Sequence, residues 1–274
     1  MTQAPPYIVL NKKVGQTPLE SILGWKKENP QWKDVAASYA GRLDPMADGK
    51  LLVLLGDECK KQKEYTALDK EYEIEIVLDL ATDTGDVLGL AEYSNTQTQS
   101  NEANLPKTLQ AQEGPHVLPY PIFSSKTVRG KPLFLYALEG KIDEIEIPTH
   151  IEDIYKITLL GIRKVAAKDL HTLIMETLSK TPRSEEPSKK LGADFRIDAI
   201  TDKWESIFET VPERSFQILR LGVTCASGTY MRTLAGRIGK DLGSDALALS
   251  ITRTKIGSYM RLPFRYGFWK NIYI

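Results

Sequence analysis

Residues 72–78 (Tyr-Glu-Ile-Glu-Ile-Val-Leu) set apolar side chains against acidic ones with period two, which predicts a strand with one buried face. Residues 7–10 read as a short strand. The apolar run at 51–55 is a buried strand or a buried helical turn, and its length favours the strand. Thr17-Pro18-Leu19-Glu20 is a capping box with proline in the first helical position, so a helix is expected from 18 to about 28. A polar stretch with sparse apolar anchors predicts a surface helix within 56–68. A turn at 82–86 should lead into a returning strand at 87–93, and the polar loop around 95–99 into a short helix at 105–110.

The second half mixes the two periods again. Three prolines at 115–121 open a long basic stretch reaching Lys131, followed by a short helix closed by Gly140. Strands are expected at 155–165 and 216–225. Residues 181–190, rich in Pro, Ser and charge, read as a mobile loop between two helices. Met231, Leu234, Ala235, Ile238 and Leu242 recur at helical spacing, with Gly243 placed to end the helix. Strands and helices alternate without a regular βαβ repeat, which points to an α+β fold on a largely antiparallel sheet.

Composition narrows the class. The 274 residues, 42% hydrophobic, suffice for one large domain or two smaller ones. No apolar stretch approaches the ~18 residues of a membrane helix, and the first residues lack the basic start and apolar core of a secretory signal. Cys59 and Cys225 are too few for a disulfide framework, and His116, His150 and His171 show no ligand spacing. The expectation is a soluble cytoplasmic protein with neither metal nor cofactor.

The net charge is zero, but the charges are segregated. Nine acids face only Lys107 between Glu71 and Val117, whereas ten bases face only Asp241 and Asp245 from Arg214 onward. A basic region of this kind fits a polyanion partner. It fits equally well a solvated face paired with the acidic segment.

The chemistry concentrates at Gly41-Arg42-Leu43-Asp44-Pro45-Met46-Ala47-Asp48-Gly49. Proline disfavours the helical region for the residue before it, so Asp44 should be extended or in a turn, held at the mouth of a cleft. On these residues alone the commoner role is a helix N-cap followed by proline. What reverses that order lies in other segments: Lys12-Lys13-Val14-Gly15, Lys70-Glu71-Tyr72, Phe123-Ser124-Ser125-Lys126 and Ser227-Gly228-Thr229-Tyr230-Met231-Arg232.

Taken in order from about Tyr7 to Gly257, these five blocks resemble the tRNA pseudouridine-55 synthase family of the TruB type. Its signatures include Gly-x-Leu-Asp-Pro-x-Ala-x-Gly, Lys-x-Tyr and Gly-Thr-Tyr-Ile-Arg. The resemblance implies the pseudouridine-synthase fold, a bent, mixed and mostly antiparallel sheet with flanking helices and a central cleft. It implies an isomerase that converts one uridine of the tRNA T-loop, position 55, to pseudouridine without a cofactor. Asp44 falls on the catalytic aspartate, Tyr72 on the tyrosine that stacks against the target base, and Arg232 on the arginine that pairs with the aspartate. Lys60, Lys126, Tyr230, Ile251 and Arg253 fall at substrate-binding positions, with Ile251 an apolar wall of the base pocket.

The chain departs from the family pattern in places. Tyr39-Ala40-Gly41 stands for the usual His-Thr-Gly, removing a histidine that helps flip the base. Lys13 replaces a common proline, Phe123 a tyrosine, and Thr252 the first arginine of a pair. The sequence ends 17 residues after Gly257, so no separate carboxy-terminal RNA-binding (PUA) domain is expected. The expected organisation is one catalytic domain over 1–274, with an RNA-inserting loop at about 115–141 and the mobile loop at about 181–190. The implied partner is the T-arm of tRNA, met by a monomer with no obligate protein partner and no membrane. A reading from another class is a non-catalytic tRNA-binding or folding factor on the same scaffold. Intact Asp44, Tyr72 and Arg232 argue against it.

Overall fold

The computed structural model describes residues 4–93, 104–181, 196–262 and 266–273. The first half runs β1 (Tyr7–Lys12), α1 (Pro18–Glu28), β2 (Ala37–Ala40), β3 (Asp48–Leu55), α2 (Gln62–Thr66), β4 (Asp69–Leu78), β5 (Leu80–Thr82), β6 (Ala91–Tyr93) and α3 (Leu105–Ala111). Next come β7 (Gly114–Pro119), β8 (Thr127–Val128), β9 (Lys131–Pro132), α4 (Leu133–Leu138), β10 (Thr149–Ala166) and α5 (Ala167–Lys180). The chain closes with α6 (Ile197–Thr210), β11 (Ser215–Cys225), α7 (Met231–Asp241), β12 (Ala246–Arg261) and β13 (Gly267–Tyr273).

One sheet joins β1, β3, β12, β4, β11, β10 and β7 in that order, with β2 added on β3 and β13 on β12. Its pairings are antiparallel except for a short parallel contact of β3 with β12, Asp48 beside Thr252 and Gly49 beside Arg253. Gly49 makes this contact possible. It has φ +97°, and a Cβ there would lie 2.3 Å from the Arg253 carbonyl oxygen. The architecture is the expected α+β.

β4 shows why the period-two pattern folds as a strand. Ile74 and Ile76 are buried in the main core. The acids that alternate with them meet bases from other strands: Glu71 with Lys255 of β12, Glu73 with Arg220 of β11, and Glu75 with Arg163 of β10, two strands away. Arg214 likewise pairs with Asp79. Part of the basic carboxy-terminal segment is therefore engaged by the acidic segment, as the second of its two readings expects. The main core lies between the sheet and α5, α6 and α7, where Leu170, Ile174, Trp204, Phe208, Leu234 and Ile238 meet Ile74, Ile218 and Leu221. β3 is covered on both faces, Leu51, Val53 and Leu55 towards Ile22 and Leu52 and Leu54 towards Ile256. That double burial is why it reads as an unbroken apolar run.

The capping box at Thr17 forms as expected, with Thr17 Oγ1 accepting from Glu20 N–H and Glu20 Oε2 from Thr17 N–H. Other expectations change. The start of the proline-rich loop is instead the edge strand β7, tolerated because an edge strand has backbone groups that need no partner. Only β8, β9 and α4 follow it in the stretch that was expected to insert into RNA. The return strand after the turn at 82–86 is only β6. The loop expected at 95–99 lies outside the described residues, as does that expected at 181–190 apart from Thr181. Among the described residues no helix is long and apolar enough to cross a membrane.

Candidate active site

Asp44 sits in a turn, not on a helix. Its carbonyl accepts the Ala47 N–H at 3.0 Å, with Pro45 in the second position that suits its fixed φ. The chain then enters β3 directly, and the positive φ of Gly49 is incompatible with a helix there. The N-cap alternative is thereby overturned. Two supports hold the turn from below: Gly15 N–H donates to the Pro45 carbonyl at 2.8 Å, and the buried Lys12 ammonium donates to the carbonyls of Lys13 and Ala47. Burial lowers the Lys12 pKa to about 8 against the pull of Asp48 and Asp44.

Arg232, the second residue of α7, reaches Asp44 from the other side. Its Nε lies 2.9 Å from Asp44 Oδ2 and 3.3 Å from Asp86 Oδ2. Its two remaining nitrogens donate to the carbonyls of Thr84 (2.7 Å) and Phe123 (3.1 Å). Burial works against the guanidinium charge, yet Asp44 and Asp86 together hold its pKa above the ordinary value. Four acceptors from three segments thus fix one plane, which a fork of N–H donors does and a lysine cannot.

Asp86 is the residue that sequence reasoning missed. It is buried, and burial raises its pKa to about 6 against the opposing charge of Arg232 and the hydrogen bonds from Leu88 N–H and Thr84 Oγ1. The signal was present in Thr82-Asp83-Thr84-Gly85-Asp86, too dense in acceptors for an idle hairpin. Gly85, at φ +76°, lets this turn rest on α7, since a Cβ there would lie 3.1 Å from the Arg232 carbonyl oxygen.

These groups border a cavity of about 350 Å³, within the ~300–1,000 Å³ of small-molecule sites. Asp44, Tyr72, Tyr230, Arg232, Ile251 and Arg253 all line it, as do Asp86 and Phe123. Asp44 keeps 37% of its side chain exposed while Arg232 keeps 5%. Tyr72 lies opposite Arg253 on the paired strands β4 and β12, and Ile251 opposite Ile74. Burial raises the Tyr72 phenol pKa, with the Arg253 charge opposing, so the hydroxyl stays protonated near neutrality. Burial and the Asp44 charge raise that of Tyr230.

Not every expected residue joins them. Lys60 is 81% exposed, pairs with Asp57 at 2.7 Å and does not line the cavity. Lys126 lies outside it too, its ammonium 4.7 Å from the centre of the Tyr120 ring. Arg253 borders the cavity but is 1% exposed, donating to the carbonyls of Lys50 (2.7 Å) and Gly41 (3.2 Å). Its observed contacts hold the Asp44 segment. Tyr39, where the family has histidine, packs with Ile22 and Leu51 in β2 and not on the cavity. Among the described residues no three His, Cys, Asp or Glu side chains converge on a metal position.

Residues 31–176 match the family described as TruB family pseudouridylate synthase (N terminal domain). The tRNA pseudouridine synthase B of Borreliella burgdorferi is 27% identical over 253 residues, covering 92% of this chain and 70% of that protein. That of Bacillus cereus is 26% identical over 254 residues, covering 92% of this chain and 66% of that protein. That of Francisella tularensis is 28% identical over 225 residues, 81% and 56% respectively. Among solved structures, a chain of a Cbf5-Nop10-Gar1 complex superposes with a TM-score of 0.52 at 18% identity, over 92% of this chain and 48% of that one. The superposition shows a shared fold.

Proposed function

The chain belongs to the TruB family of pseudouridylate synthases, and from that membership we propose that it isomerises a uridine of the tRNA T-loop, position 55, to pseudouridine. The observation that carries this reading is a part-exposed carboxylate at a cavity wall, held by a buried guanidinium 2.9 Å away. The tRNA pseudouridine synthase B relatives give the substrate class.

The reaction breaks the C1′–N1 bond, turns the uracil, joins C1′ to C5 and moves the C5 proton, with no net change in atoms or oxidation state. Asp44 acts as nucleophile or as stabiliser of the positive charge that develops as C1′–N1 breaks. Arg232 keeps it ionised and directed. The uridine must leave its stack to reach this acid. Tyr72 receives the base on its ring, Ile251 closes the apolar side, and the neutral Tyr72 phenol is placed to take part in the proton transfer. Tyr230 borders the same space. We assign Arg253 to positioning the Asp44 segment and Lys126 to the RNA backbone, and we give Lys60 no part in the cavity. The catalytic unit spans the whole chain, acting as a monomer in the cytoplasm.

The test is to map pseudouridine in unmodified tRNA before and after incubation with the protein. Conversion at one T-loop uridine by the wild type but not by Asp44→Asn supports the reading. RNA binding with no conversion by the wild type would favour the folding-factor alternative.

A further inference from the structure

Behind Tyr230 lies a polar cluster that takes no part in the cavity wall. Glu152, on β10, is fully buried. Its Oε1 accepts the backbone N–H of Tyr230 at 3.1 Å and lies 3.3 Å from His150 Nε2, and its Oε2 lies 3.6 Å from the guanidinium of Arg237. His150 is held by Nδ1 against the Leu118 carbonyl (3.1 Å) and stacks on Tyr120, ring centres 4.1 Å apart, with Tyr230 edge-on at 5.5 Å.

Tyr230 is the residue from which α7 starts, and Arg232 follows two positions later. The first turn of a helix has no internal partner for its N–H groups, and Tyr230 lacks a side-chain cap of its own. The Glu152 carboxylate, on the strand next to the sheet edge, supplies an acceptor there. A buried acid is costly unless its oxygens meet donors or opposite charge, and here Tyr230 N–H, Arg237 and His150 serve that need. The Asp44 turn hangs from β1 and β3 on the other side of the cavity. The start of α7 must therefore be fixed independently for the 2.9 Å contact to form.

We infer that Glu152 is a positioning residue: by holding the Tyr230 N–H it sets the start of α7 and so the approach of Arg232 to Asp44. This inference rests on the proposed isomerisation for its kinetic part only. A glutamine in its place keeps an oxygen at the Oε1 position for Tyr230 N–H and His150, at the cost of the charge and with its amide group turned towards Arg237, whereas a leucine keeps the volume and offers no acceptor.

The experiment compares Glu152→Gln and Glu152→Leu with the wild type by single-turnover rate at saturating tRNA, by RNA affinity and by the Arg232 Nε–H magnetic resonance signal. That signal is identified by its loss in Arg232→Lys. Expected are a rate at least tenfold lower for Glu152→Leu with affinity within threefold, a displaced Arg232 signal, and recovery of both rate and signal in Glu152→Gln. A leucine variant with unchanged rate and signal would overturn the inference. So would one that slows the chemistry while the Arg232 signal stays in place. Should Glu152→Leu lack a cooperative melt, Glu152→Gln decides alone: rate within threefold and an unmoved signal support the inference, and a tenfold loss or a displaced signal refutes it. A wild type that converts no tRNA, with an Arg232 signal that still answers to Glu152, would defeat the proposed function and leave the positioning role standing.

Discussion

Asp44 and Arg232 lie 188 positions apart in the chain and meet at 2.9 Å, the guanidinium almost wholly buried and the carboxylate part-exposed to the cavity. The asymmetry matters. The buried partner is fixed by two carboxylates and two carbonyls, so the exposed one is free to meet substrate while its direction is set.

The first prediction concerns charge at this pair. Asp44→Asn keeps the shape and an oxygen for Arg232, so it should fold and bind RNA normally. Its single-turnover rate should fall by at least about 10²–10³-fold, the scale of losing one preorganised electrostatic contact. Arg232→Lys, which cannot span four acceptors, should also slow the reaction while leaving RNA affinity nearly intact. A fast asparagine variant would remove Asp44 from the chemistry.

Asp86 makes the stability of the fold depend on pH in a defined sense. Its pKa rises from 3.8 to about 6 on folding, so between those values the native state holds a proton that the unfolded chain has lost. Stability from this group is complete below about pH 4 and declines as pH rises to 6, by about 3 kcal/mol in all. Denaturant melts of wild type and Asp86→Asn at pH 4 and pH 6.5 check it. The wild type should lose more stability than the variant over that interval, and parallel losses would contradict the shift.

Tyr72 should contribute through its ring face and its hydroxyl separately. Tyr72→Phe keeps the ring opposite Arg253 and should bind RNA as the wild type does while losing rate. Tyr72→Leu should lose both, stacking on a flipped base being worth roughly 1–3 kcal/mol. Binding and single-turnover measurements on the pair decide it, and near-normal rates in both would leave Tyr72 a core aromatic.

Local signals read well where a segment answers only to itself. The Thr17 capping box, the alternation at Ile74 and Ile76 and the spacing from Met231 to Ile238 each specify an element without long-range help. β12 was not legible, because its register shifts at Ala248–Ser250 and Arg253–Lys255 break the alternation. It also carries polar residues inward to hold other strands, as Arg253 does for Gly41 and Lys50. Asp44, Tyr72, Tyr230, Arg232 and Ile251 were legible as motif residues and the structure gathers them. Asp86 escaped because its importance lies in a partner 146 residues away, and Lys60 was over-read because a lysine in a motif carries no record of its exposure.

The last prediction separates bases that can meet RNA from those already engaged. Arg214, Arg220, Arg232 and Lys255 pair with acids of the protein itself, and Arg253 is buried against carbonyls. They have little left to give a phosphate. Lys126 is different: its ammonium lies over Tyr120, in the segment between β7 and β8, and that ring face is the only contact described for the ammonium. Each phosphate neutralised releases counterions, so the slope of log Kd against log salt counts such contacts. Lys126→Ala should weaken tRNA binding and flatten the slope by roughly one unit. Lys60→Ala, whose ammonium is exposed beside Asp57, should leave the slope within error of the wild type. Titrations of the two variants between low and moderate salt make the comparison. A flattened slope for Lys60→Ala with none for Lys126→Ala would mean that the RNA runs over the surface around α2 and not along the segment that carries Tyr120.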